Sequence, residues 1–164
     1  MKVLSFDQST RISGYCYIEN GKYIESGIVD MSKSKLATEE RSFEMAKQIW
    51  KIINKYKPQH IIIEDVQQQS NPKTMIVLAR LSGMIIGYAE AHNVKIHILS
   101  SSQWRKQLCY FQGPKVKRQE LKQQSIDYVK KNFGFNLSED ECEAICIGAA
   151  AHKIFNFSDD EDIW

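Results

Sequence analysis

The sequence predicts an α/β fold: one mixed sheet of about five strands, three antiparallel and then parallel, with helices on its faces. Three observations lead there. Residues 14–30, "GYCYIENGKYIESGIVD", hold two strand-like runs joined by Asn20-Gly21, the pair that favours a tight hairpin. Residues 60–64, "HIIIE", form a short unbroken apolar run, typical of a strand buried on both faces. After the hairpin, strand-like runs alternate with stretches of helical spacing, the signature of parallel strands joined by helical crossovers.

In chain order, residues 2–6, 14–19 and 22–30 read as an antiparallel meander. Phe43, Ala46, Ile49, Trp50 and Ile53 mark a helix from about Thr38, a plausible N-cap, to Tyr56, with Pro58 as the stop. The strand around "HIIIE" follows, then a polar loop, "QQQSNPK", and a helix from about Thr74 to His92. "VKIHIL" is another short strand, and Ser100 to Ser102 cap a short helix through Trp104 and Leu108. A Gly113-Pro114 loop precedes a basic helix of roughly residues 116–131. The final helix begins near Ser138 and runs to about Phe155. Residues 1–157 are expected to form one domain, with 158–164, "SDDEDIW", as a short acidic tail.

At 164 residues the chain is long enough to bury a core as a single domain. No apolar run approaches the roughly 20 residues of a membrane span. The N-terminus, "MKVLSFDQST", lacks the pattern of a signal peptide. A cytoplasmic protein is the expectation. Four cysteines fit reduced, packed thiols. Cys142, Cys146 and His152 suggest a metal half-site, but positions 142 and 152 diverge by about 80° on a helix.

The net charge of +2 is unevenly spread. Trp104 to Lys131 holds eight Lys or Arg against two acids, and Glu139 to the end holds eight acids against Lys153 alone. The basic segment suggests an anionic partner, and the acidic one either repels that partner or binds metal.

Four acids stand out by position. Asp7 ends the first strand and Glu64 ends the buried one, while Asp140 and Glu143 lie three apart at the start of the last helix, on one face. Taken singly, each has an ordinary reading: an Asx turn at Asp7, a solvated strand end at Glu64, and macrodipole complements at Asp140 and Glu143. Jointly they point elsewhere. The first strand and the strand ending at Glu64 are expected neighbours, and small residues at Ala144, Gly148 and Ala151 let the last helix approach the sheet closely. Clustered carboxylates do not all ionise without a positive charge among them. Hard oxygen donors suit Mg²⁺ or Mn²⁺, and two such ions about 3.5–4 Å apart promote phosphodiester hydrolysis with no protein nucleophile.

At this point the sequence resembles the RuvC-type Holliday junction resolvases of the RNase H-like superfamily, over nearly the whole chain. "LSFDQSTRISGY" resembles the first-strand motif with Asp7 as metal ligand, and "IIIED" the second motif with Glu64. "DECEAICIGAAA" is similar to the final-helix pattern, which assigns Asp140 and Glu143. "SNPKTMIVLARLSGMIIGYAE" resembles the helix after the second acid, and "WRKQL" followed by "GPKVKRQELK" the basic region of phage-encoded members. The resemblance implies an RNase H-like sheet and an endonuclease acting on four-way junctions with two Mg²⁺ ions, Mn²⁺ substituting. It further implies a homodimer and a phage or prophage origin, without a nucleotide cofactor. Cellular members often carry an aromatic after the second acid, where this chain reads Val66-Gln67-Gln68-Gln69. Looser selectivity, extending to other branched DNA, follows.

Lys115, Lys117, Arg118, Lys122, Arg105 and Lys106 are the expected DNA phosphate contacts, a solvated helix face being the alternative, with Lys115 or Lys117 also placed to steady charge at the scissile phosphate. Lys73 and Arg80, on the helix after Glu64, are weaker candidates; Gln67, Gln68, Gln69 and Asn71 could also reach DNA, a plain polar loop being the alternative. Trp104 reads as a core anchor rather than a base-stacking residue. Three rival functions remain. "FDQST" also resembles the phosphate loop of sugar kinases, but those need two such domains. A non-catalytic junction binder gains nothing from clustered negative charge. An RNase H-like nuclease on RNA–DNA hybrids shares every feature above.

Overall fold

A computed structural model describes residues 1–67, 71–108 and 110–157. Gln68, Gln69, Ser70, Cys109 and the acidic tail 158–164 lie outside the described residues. The elements are β1 (Lys2–Asp7), β2 (Ile12–Glu19), β3 (Lys22–Asp30), α1 (Thr38–Tyr56), β4 (His60–Glu64), α2 (Pro72–Ala91), β5 (Lys95–Leu99), α3 (Ser101–Gln107), α4 (Arg118–Phe133) and α5 (Glu139–Phe155). The five strands form one sheet in the order β3-β2-β1-β4-β5. β1, β2 and β3 pair antiparallel, and β4 and β5 run parallel to β1. This is the expected mixed sheet.

The hairpin turns on Asn20 and Gly21, both at positive φ (51° and 71°), as a primed two-residue turn requires. Alternation along the central strands sends side chains to two cores. Leu4, Phe6, Ile61 and Ile63 pack with Met45, Ile49, Leu81 and Ile85 of α1 and α2. Val3 and Ile62 pack with Trp104, Val129 and the apolar run of α5 on the other face.

α5 lies close against β1 and β2 because both surfaces are small. Ser5 Oγ donates to the Ala144 carbonyl at 2.8 Å. A Cβ on Gly148 would sit 2.7 Å from Ser5 Oγ and from Ile18 Cδ1. A Cβ on Gly14 would meet the Asp140 carbonyl oxygen at 2.0 Å, a backbone clash that no rotamer relieves. Gly14→Ala is therefore expected to destabilise by about 3 kcal/mol, lowering Tm by roughly 6–12 °C in a thermal melt.

Three expectations need correction. Ala37, not Thr38, is the N-cap of α1: its extended backbone (φ −57°, ψ 154°) precedes the first turn, and Glu40 accepts from its N–H at 3.2 Å. α2 starts two residues earlier than Thr74, because Asn71 caps it and Pro72 fits the first turn. α2 is also 20 residues long with mean hydropathy 1.3, enough by those measures alone to cross a membrane. Its Ile, Val, Leu, Met and Ala residues raise the mean, while Lys73, Arg80, Ser82 and Glu90 interrupt the apolar run. It packs through Leu81, Ile85 and Ala89 on the α1 side of the sheet, while only 22% of its apolar window is buried.

Candidate active site

The sheet topology brings the acids together. In register, Asp7 faces Gly14 across β2, and Phe6 pairs with Ile63 of β4, so Asp7 and Glu64 each lie one residue further along adjacent parallel strands. The clash that forbids a side chain at Gly14 places Asp140 against that same strand end. Ser138 caps α5, accepting from the Glu141 amide at 3.4 Å, and the first turn then divides its acids. Glu139 pairs with Lys122 and Glu141 accepts from Ser26 Oγ at 2.6 Å, whereas Asp140 and Glu143 face the cavity with Asp7 and Glu64.

That cavity, of about 650 Å³, is lined by Arg11 of the β1–β2 loop and Arg41 of α1, and by Arg105 of α3 and Arg118 and Lys122 of α4. Arg41 is tied down by its Nε, which donates to the Thr10 carbonyl at 2.9 Å, so it braces the loop after Asp7. Gln8 clamps the two strand ends. Its Nε2 donates to the Glu64 carbonyl, and its Oε1 accepts from the Glu64 amide at 3.2 Å.

Electrostatics follow from crowding. Burial holds the Asp7 carboxyl well above its ordinary range, and the charges of Glu143, Glu64 and Asp140 push it further, with Lys122 as a partial offset. Burial also raises Glu64, and the charge of Glu143 adds to it. A hydrogen bond from Trp104 and the charges of Arg105 and Arg118 pull the other way. Glu143, 6% exposed, pairs with Arg105 at 3.2 Å. Among the described residues, the buried Arg105 Nε finds no hydrogen-bond partner.

The donor set is all carboxylate, and its crowding raises Asp7 and Glu64 above their ordinary range, which fits a hard divalent cation. Among the described residues, no three His, Cys, Asp or Glu side chains stand grouped to hold an ion as they are. Trp104 and Arg105 instead engage an oxygen each of Glu64 and Glu143.

The basic candidates divide. Arg105, Arg118 and Lys122 line the cavity, as does Gln67, with Arg105 and Lys122 only 15% exposed and paired with acids. Lys106, Lys115 and Lys117 are exposed outside the cavity lining. Asn71 Oδ1 accepts from the Lys73 amide at 3.0 Å, so Asn71 serves the α2 cap, and Lys73 is exposed beside it. Cys16, Cys142 and Cys146 are buried free thiols, with the Tyr110 hydroxyl 3.0 Å from Cys146 Sγ. Sequence reasoning passed over Gln8, Arg41 and the polar role of Trp104. The only signal for Gln8 was its place next to Asp7, and for Arg41 and Trp104 there was none.

The fold is that of the RuvC, RNase H-like nucleases. The T. thermophilus RuvC structure in complex with Holliday junction substrate superposes with TM-score 0.74 at 13% identity, covering 95% of both chains. The chain belongs to the family described as Lactococcus phage M3 protein (DUF3882), whose model matches residues 1–159. Among curated relatives, the crossover junction endodeoxyribonuclease RuvC of Fusobacterium nucleatum subsp. nucleatum is 38% identical over 98 residues. That match covers 57% of this chain and 51% of the relative, so the chain spans about half the relative's length. RuvC of Brachyspira hyodysenteriae is 26% identical over 163 residues, covering 95% of this chain and 98% of that protein.

Proposed function

We propose that this chain is a divalent-metal-dependent endonuclease that hydrolyses phosphodiesters in four-way DNA junctions and in other branched DNA, with residues 1–157 as its nuclease domain. The convergence of Asp7, Glu64, Asp140 and Glu143 on one cation-walled cavity carries the reading. The curated relatives, named as crossover junction nucleases, supply the substrate class.

Asp7, Glu64, Asp140 and Glu143 would hold Mg²⁺, or Mn²⁺ in its place, with two ions per site. Such ions supply Lewis acidity at a phosphoryl oxygen and ease deprotonation of the attacking water. Burial, and after it the charges of Glu143, Glu64 and Asp140, hold the Asp7 carboxyl above its ordinary range, and a cation among these acids would lower it. Arg105, released from Glu143, would present its guanidinium to an incoming phosphate. Lys106, Lys115 and Lys117 meet backbone phosphates further out. A homodimer would set two cavities on opposite strands of a junction.

Lys115→Ala is expected to weaken junction binding about equally for all sequences and to lower the slope of log affinity against log salt by about 1, as read by fluorescence anisotropy. To test the substrate, labelled four-way junction, fork, RNA–DNA hybrid and duplex are offered at equal concentration with Mg²⁺. Fastest cutting of the junction is expected. Fastest cutting of the hybrid would replace the substrate while retaining the site, and binding without cutting would leave a junction-binding protein.

A further inference from the structure

We propose that Trp104 is a positioning residue for Glu64: its indole N–H fixes the carboxylate that a divalent cation in the cavity would meet. The inference rests on the metal-dependent reading above and extends it to a side chain outside the four acids.

Trp104 is fully buried, at 0% exposure, and its Nε1 donates to Glu64 Oε2 at 2.7 Å. An indole N–H only donates, and when buried it must find an acceptor. A residue that merely filled the core would be served by a backbone carbonyl. Here the donor is spent on a carboxylate that lines the cavity.

The chain path makes this contact. Leu99, the last residue of β5, pairs with Glu64 in register and accepts from the Asp65 amide at 2.8 Å. Ser100 then caps α3, donating its amide to Gln103 Oε1 at 2.9 Å, and the first turn carries Trp104 back to the strand end it has just left. Glu64 is thus held twice, through its backbone by Gln8 and through its side chain by Trp104.

The neighbours fix the indole in turn. Tyr110 meets it edge-on at 5.6 Å between centroids, and the Arg105 guanidinium lies 4.6 Å over its ring while pairing with Glu143. One short helix therefore holds the second and fourth acids through consecutive residues. Hydrogen-bond partners of metal ligands set ligand orientation, and their loss weakens metal binding about 10–100-fold.

The test replaces Trp104 in the full chain with 3-benzothienylalanine, which keeps the bicyclic shape and puts sulfur in place of N–H. Mn²⁺ binding is followed by the electron paramagnetic resonance of free Mn²⁺. The Kd is expected to rise about 10-fold or more, with the Tm in EDTA little changed. An unchanged Kd would overturn the positioning role and leave the metal reading standing. Absence of Mn²⁺ binding by the unsubstituted chain would overturn both. A second measurement uses the natural indole in a Trp50→Phe, Trp164→Phe background. Mn²⁺ should quench Trp104 emission with the midpoint of the binding curve, and emission unaffected by bound Mn²⁺ would place the ion away from Glu64.

Discussion

Replacing Asp7 with asparagine is expected to lower junction cleavage by about 10³-fold or more while the fold is retained. Asparagine keeps the size of the side chain at the end of β1, where the register partner is Gly14 and the next strand carries Glu64. It removes the central one of four carboxylates, and a metal ion's stabilisation of a phosphoryl transition state is worth several kcal/mol, each 1.36 kcal/mol being tenfold in rate. Initial rates on a labelled junction at saturating Mg²⁺ measure the loss. Cleavage within tenfold of the unsubstituted chain would remove Asp7 from the centre.

The second large effect concerns stability. In EDTA, Asp7 and Glu64 are both raised in the folded chain, chiefly by burial. As pH rises past about 4, the unfolded chain releases these protons first. The folded state then binds more protons than the unfolded one, so stability falls through that window and stays lower above it. Glu25, Asp30 and Glu44 are lowered by their partners and act in the opposite sense, so the comparison must be with Asp7→Asn, in which those three are unchanged. The asparagine chain is expected to melt higher than the unsubstituted chain in EDTA at pH 7, and the gap to close toward pH 3. Adding Mg²⁺ at about 100 times its Kd is expected to stabilise the unsubstituted chain by about 2.7 kcal/mol, or roughly 5–11 °C in Tm, and to do little for the variant. Equal responses of both chains to Mg²⁺ would contradict this.

Much of the architecture was legible because it depends on local chemistry. Asn20-Gly21 announces its hairpin through positive φ, and the "HIIIE" run announces a strand buried on both faces. The small face of α5 foretold its close approach, which Gly14 and Gly148 show from either side. The i, i+3 spacing of Asp140 and Glu143 placed both on the cavity, while Glu139 and Glu141 turn to Lys122 and Ser26. What stayed hidden depends on tertiary direction. A run of lysines and arginines has one composition whether it faces solvent or a carboxylate. Only the fold shows Lys122 and Arg105 paired with Glu139 and Glu143, while Lys115 and Lys117 stay outside. Likewise a tryptophan amid apolar residues reads as core, and its N–H has no sequence signature. Trp104 is both a core residue and a partner of Glu64.

The most direct measurement is cleavage of a four-way DNA junction labelled on each strand in turn, with Mg²⁺, with Mn²⁺ and with EDTA, by the unsubstituted chain and by Asp7→Asn. Paired nicks on opposite strands, present with either metal and lost in EDTA and in the variant, are the predicted result. A junction that is bound yet stays intact with both metals, or is cut equally well in EDTA, would contradict a metal-dependent nuclease built on these four acids.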